Sequence, residues 1–124
     1  MSEGTAMRVP SHPTLVRRML DSRLKQLAPT GPVLAASLVL LNKRCGQPSC
    51  RCHHGGPLHQ AYHITFREGG KTRTAYVPKD LLAEVQKWMQ EHRRLKALLQ
   101  EVNLLSLALI RGHVRHRRRQ KGRH

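Results

Sequence analysis

Leu15, Val16, Met19, Leu20, Leu24 and Leu27 recur at the 3.6-residue rhythm of an amphipathic helix and predict one over residues 15–27. Thr14, between Pro13 and the first apolar residue, is its expected N-cap. Pro29, Gly31 and Pro32 then end it, because neither residue type continues a helix well. Residues 33–42, VLAASLVLLN, are apolar without a period and fit either a buried strand or a short helix. Their brevity, their valines and the preceding Gly-Pro favour the strand.

The alternation in AYHITFREGGKTRTAYVP is plainer. Two runs of period two flank Gly69-Gly70, the pair that a two-residue type I′ turn prefers. With those glycines as the turn, Glu68 opposes Lys71, Arg67 opposes Thr72, and so on back to Tyr62 opposite Val77. One face then carries Tyr62, Ile64, Phe66, Ala75 and Val77, interrupted by Arg73. The other carries His63, Thr65, Arg67, Thr72, Thr74 and Tyr76, a polar surface free for water or a ligand.

Pro78 closes the hairpin, and a long helix is expected over residues 79–111. Leu81, Val85, Trp88, Leu95, Leu99, Val102 and Leu109 form its apolar stripe, and His92 and Ser106 fill the two gaps. Leu82, Met89, Leu98 and Leu105 widen it. About 31 of those residues in one rod would be about 46 Å long at 1.5 Å per residue, whereas strands of five to seven residues need a cover of only about 17–23 Å. Its second half must therefore bury Leu95, Leu98, Leu99, Val102, Leu105 and Leu109 elsewhere, against the N-terminal helix or against a second copy of the chain. From Gly112 onward the sequence reads as a basic, disordered tail.

The expected fold is thus α+β: an N-terminal segment with a helix (1–30), a small three-stranded antiparallel sheet (31–78), a long amphipathic helix (79–111) and a tail (112–124). The apolar runs are too short for a membrane helix, and the N-terminal residues lack the pattern of a signal peptide, so a cytoplasmic protein is expected.

Charge changes the picture more than composition does. Twenty-three Lys and Arg stand against seven Asp and Glu, a net +16. Residues 31–78 hold six basic residues and one acid, and residues 111–124 hold seven basic residues and no acid. That asymmetry points to a polyanionic partner, most simply nucleic acid, with DNA favoured over RNA. Candidate contacts are Lys43, Arg44 and Arg51 around the cysteines and His63, Arg67, Lys71, Arg73 and Tyr76 on the hairpin. Arg115, Arg117, Arg118, Arg119 and Lys121, with Arg111 and Arg123, supply the same charge in the tail. Catalysis is not expected: the few carboxylates form no cluster for two-metal chemistry, and no phosphate-cradling glycine loop is present.

All three cysteines fall in one short stretch, CGQPSCRCHHGGPLH, residues 45–59. Cys45, Cys50 and Cys52 with His59 make the ligand set of a structural zinc site, His63 being the reserve fourth ligand. Unligated redox-active thiols and a disulfide are the alternatives, the latter disfavoured by the odd count and a reducing compartment. A zinc ion here would staple a sheet whose core is marginal by size.

Cys45-Gly46, Cys50-Arg51-Cys52, His59, Gly70-Lys71 and Tyr76-Val77-Pro78 ahead of a long helix resemble a family of small bacterial proteins catalogued as a domain of unknown function. Members are met near transposases and integrases of mobile elements, which implies a shared fold, a mobile-element setting and a transposase or recombinase as partner. Family members read His-Gly-Pro-Tyr where this chain has His59-Gln60-Ala61-Tyr62. Together these readings give a zinc-stapled, nucleic-acid-binding accessory protein. The competing reading is a protein-interaction module that dimerises through the long helix and whose tail merely adheres to nucleic acid.

Overall fold

The computed structural model describes residues 7–122. It contains α1 (Pro13–Gln26), β1 (Ser37–Lys43), β2 (His59–Glu68), β3 (Lys71–Val77) and α2 (Leu82–Lys121), with one turn of 3-10 helix, Arg51–His53, between β1 and β2. The α+β class, the three antiparallel strands in order β1-β2-β3 and the two helices agree with the sequence reading. The chain divides into two compact units. One comprises residues 31–93 and the other residues 1–30 with 94–124.

In the sheet unit the β2–β3 register is the one the Gly69-Gly70 turn dictates, from Tyr62 opposite Val77 to Glu68 opposite Lys71. Both glycines have positive φ, 58° and 80°, which a type I′ turn requires at its two central positions. β1 pairs antiparallel with β2, from Ser37 opposite Thr65 to Lys43 opposite His59. Val77, Val85 and Met89 are buried on the inner face, packed by Leu34, Leu38, Tyr62, Ile64, Leu82 and Trp88. The first part of α2 therefore covers the sheet, as its Leu/Val/Met stripe predicts.

Four boundaries differ from expectation, each for a local reason. β1 begins at Ser37 rather than at residue 33, because the Leu34 N–H donates to the carbonyl of Trp88 instead of joining a strand ladder. β2 begins at His59, three residues earlier than the alternation shows, since pairing with Lys43 continues past Tyr62. The N-cap of α1 is His12, whose Nδ1 accepts the Thr14 N–H at 3.2 Å. Pro13 then occupies N1, where its missing donor is harmless.

The fourth is the largest. α2 starts at Leu82, after a turn in which Leu81 N–H donates to the Pro78 carbonyl, and runs to Lys121. Residues 112–121, expected as disordered tail, are helical. Gly112 costs only about 1 kcal/mol relative to alanine in a helix interior. The arginines, Gln120 and Lys121 are good helix formers, and Arg118, Arg119 and Lys121 in the last turn complement the helix dipole.

In the helical unit Val16, Leu20 and Leu105 form a buried cluster with Met7, Met19, Val102, Ala108 and Leu109 packed around it. Arg23 Nε donates to Glu101 Oε1 at 2.8 Å, and the Arg94 guanidinium donates to the Gln26 and Ala28 carbonyls at 2.7 and 3.0 Å. The latter pair satisfies acceptors that the end of α1 leaves open.

Candidate metal centre and the surfaces beside it

The site is assembled by strand pairing. Register places His59 opposite Lys43, so the imidazole starts beside the residues leading into Cys45. The chain between them doubles back through a knuckle: Cys50 N–H donates to the Gln47 carbonyl at 3.0 Å, then His53 to Cys50 and His54 and Gly56 to the single carbonyl of Arg51. Gly56 is compulsory there, because a Cβ would lie 2.7 Å from Arg51 Cβ and 2.8 Å from the Arg51 oxygen. His53 and His54, the two histidines in the middle of the motif, are turned to structure: their Nε2 atoms lie 2.7 Å from the Cys45 carbonyl and 3.0 Å from the Pro48 carbonyl.

The knuckle gathers Cys45, Cys50, Cys52 and His59, whose ligating atoms all lie within 4.8 Å of one another. Cys50 Sγ is 3.2 Å from His59 Nε2, and Cys52 Sγ is 3.6 Å from Cys45 Sγ. These four residues lie close enough to hold one metal ion, and they are the four that the spacing nominates. His63, the reserve ligand, is outside the group. Cys52 is buried, Cys45 and Cys50 are half-buried and His59 is exposed. The three cysteines are free thiols, so no disulfide competes for them.

The environment already favours thiolate at one position. The Cys50 thiol is pulled down from 9.0 to about 6, chiefly by the backbone N–H of Cys52 and next by the His59 ring. Cys52 moves the opposite way, raised by burial. A cation between them would reverse that cost, since a metal-bound thiol is deprotonated outright.

The proposed nucleic-acid contacts fall into three places. Lys43, His63, Arg67 and Tyr76 share the outer sheet face, directed away from the Val77–Met89 core by the alternation of the strands. Lys71 and Arg73 do not join them. They lie in register with Glu68 and Phe66 on the other face, and Arg73 Nε binds Glu68 Oε1 at 3.2 Å. Arg44 and Arg51 are exposed on the knuckle. Arg115, Arg117, Arg118, Arg119 and Lys121 lie on the exposed end of α2, and Arg123 lies outside the described residues.

The outer face is also less polar than the hairpin alone implies. β1 adds Val39 and Leu41 beside His63 and Ala61, and Tyr76 stands 60% exposed with its ring edge-on to His63 at 5.7 Å. The strand assignment of residues 33–42 carried that signal, but only the register of β1 reveals which residues face outward. Arg67 is held by the turn, donating to the Gly70 carbonyl at 2.7 Å and to Thr72 Oγ1 at 3.4 Å.

The six residues expected to meet a partner are largely consumed by the chain's own fold. Leu98 and Leu105 are buried, Val102 and Leu109 pack on the α1 cluster, Leu95 is half-buried, and Leu99 alone of the six is exposed. Of the two covers the sequence allows, the N-terminal helix is the one observed.

Fold and site define a small α+β protein with a Cys3His ligand set clustered at one end of its sheet. The chain belongs to the family described as domain of unknown function DUF6788, whose pattern matches residues 14–87. No curated protein and no solved structure matches it. No helix among the described residues is long and apolar enough to cross a membrane.

Proposed function

We propose that Cys45, Cys50, Cys52 and His59 hold a structural zinc ion and that the outer sheet face beside it binds DNA. The observation that carries the zinc assignment is the convergence of three sulfurs and one imidazole nitrogen within 4.8 Å. Four ligands about 2.0–2.3 Å from a tetrahedral ion sit roughly 3.5–3.8 Å from one another; the Cys50–His59 and Cys45–Cys52 separations of 3.2 and 3.6 Å lie near that, within a group no wider than 4.8 Å. Thiolate and imidazole select zinc over magnesium or calcium. A set of four protein ligands leaves no coordination position for substrate, so the role assigned is structural and the protein is read as a binding protein rather than an enzyme.

The support for nucleic acid is the +16 charge together with the make-up of the outer face. From His59 to Arg67, β2 covers about 27 Å at 3.4 Å per residue. Lys43 lies at one end and Arg67 at the other, with exposed Thr72, Thr74 and Tyr76 alongside. Cations position a phosphate backbone, while hydroxyl and aromatic groups meet base edges. The knuckle would hold Arg44 and Arg51 at the end of that track. The mobile-element setting, with a transposase or recombinase as partner in a cytoplasmic compartment, rests on the sequence resemblance.

Metal analysis and oligonucleotide binding test the two halves separately. Wild-type protein purified without chelator should carry one zinc per chain, and Cys50→Ser should lose it. Less than a stoichiometric amount in the wild type sinks the metal. The double variant Lys43→Ala, Arg67→Ala should weaken binding to a short DNA duplex and flatten its salt dependence by about two units. An unchanged slope removes the sheet from the interface.

A further inference from the structure

The structure assigns a second nucleic-acid contact, and this inference rests on the proposed nucleic-acid binding: a cleft in the helical unit, between the start of α1 and the last third of α2, takes the phosphodiester backbone of a strand. The cavity has a volume of about 310 Å³ and is walled by Val16, Arg17, Leu109, Gly112, His113 and His116, among others. An adjoining cavity of about 350 Å³ shares Ser11, Pro13, Gly112 and His116 and adds His12, Arg115 and Arg119.

The charge of this cleft is one-signed. Arg17, Arg115 and Arg119 line it and no carboxylate does. None of the three guanidinium groups has a hydrogen bond or an ion pair among the described residues, unlike Arg23, Arg67, Arg73 and Arg94. The helix dipole explains Arg119 in the last turn of α2; it does not explain Arg17, near the start of α1. Two imidazoles add donors. His12 Nδ1 accepts the Thr14 N–H, which leaves the proton of the neutral ring on Nε2. His116 Nε2 lies 3.1 Å from the Gln120 amide nitrogen, a donor, which leaves its proton on Nδ1.

Gly112 keeps the cleft open. It interrupts an otherwise glycine-free helix, yet its φ is not positive, and a Cβ built there meets nothing nearer than Arg115 Nη2 at 3.9 Å. A side chain would fit the helix and improve its propensity. What the glycine supplies is space, beside three unpaired guanidiniums. Guanidinium forks match phosphate oxygens two at a time. A sugar-phosphate strand is the ligand that fits an anion-seeking cleft on a chain with this net charge.

The test uses the full chain and a short fluorescent DNA duplex, with anisotropy followed across a salt series. Gly112→Leu fills the cleft without altering charge and is expected to lower affinity about tenfold while helicity stays or rises. Arg17→Gln should give a similar loss and reduce the salt slope by about 1. Arg117→Gln removes a charge from the same end of α2 without touching the cleft, and should cost about twofold. Wild-type affinity in Gly112→Leu overturns the cleft, as does an equal loss in Arg17→Gln and Arg117→Gln, and either result leaves the sheet reading standing. Failure of the wild type to bind any oligonucleotide at low salt overturns both.

Discussion

The helical unit and the sheet unit differ in where their buried apolar side chains lie. In the first, Leu105 is fully buried against Val16 and Leu20, with five further apolar residues around them. In the second, the inner face has a comparable cluster at Val77, Val85 and Met89, but the end where β1 leads to β2 does not. There, Cys52 is the one buried side chain in the knuckle of residues 44–58, amid Gly, Pro, His and Arg. An apolar cluster gives the two helices buried area of their own. A loop of that composition, closing β1 onto β2, lacks the apolar area to offset its ordering entropy, and a four-ligand ion is the available substitute. The contrast sets a helical unit that has its own apolar cluster against a sheet unit in which, on the proposed reading, an ion would order the knuckle.

The sharpest way to break that contrast is to take the metal away. Structural zinc contributes on the order of 10 kcal/mol of apparent folding free energy, as much as the whole stability of a small domain. Chelation, or Cys50→Ser, should therefore unfold the knuckle and loosen the sheet while α1 and the second part of α2 stay helical. Trp88 is the single tryptophan and packs on the sheet-unit core, so its emission reports that unit alone. A red shift with most of the helical circular dichroism retained is expected. Unchanged Trp88 emission after full metal removal would refute the dependence.

A smaller effect is expected from the opposite side. Leu105→Ala leaves a cavity in the helical cluster and should cost about 2–5 kcal/mol. If the units draw on separate sources of stability, thermal melting followed by helical ellipticity shifts downward and the Trp88 transition moves much less. Equal shifts in both signals would show one cooperative body instead.

How much of this was legible beforehand follows the range of the physics. The hairpin register was readable because a Gly-Gly turn and period-two alternation are both local, and the structure reproduces every predicted pair. The clustering of Cys45, Cys50, Cys52 and His59 was readable because sulfur grouped at that spacing has few other uses, and His59, the first choice for the fourth position, is the histidine gathered with the cysteines. What needed tertiary information was hidden. The outward orientation of Val39 and Leu41 depends on β1 pairing with β2, about 25 residues away. The segregation of Arg73 from Arg67 was read directly from the alternation, although both were still counted among the candidate nucleic-acid contacts. Helix continuing past Gly112 was missed because a lone glycine near a basic run reads as a stop, although its penalty is small beside the six good helix formers Arg115, Arg117, Arg118, Arg119, Gln120 and Lys121 that follow it. His12 was missed as a cap because histidine is not among the preferred capping residues.

The smallest effect tests whether charge or burial holds the helical unit. Arg23 and Glu101 form a 2.8 Å pair with side chains 25% and 30% exposed. Pairs of that kind contribute about 0.2–1 kcal/mol, with the lower half expected once salt screens them. In a double-mutant cycle of Arg23→Gln and Glu101→Gln, the coupling should stay below about 1 kcal/mol and fall further in 1 M salt. Leu105→Ala, by contrast, should be nearly insensitive to salt, because its loss is one of packing. A coupling larger than the Leu105→Ala cost would invert the ranking and make the helical unit an electrostatic assembly. Both units would then depend on charge, one through an ion and the other through a salt bridge, and the division between them would disappear.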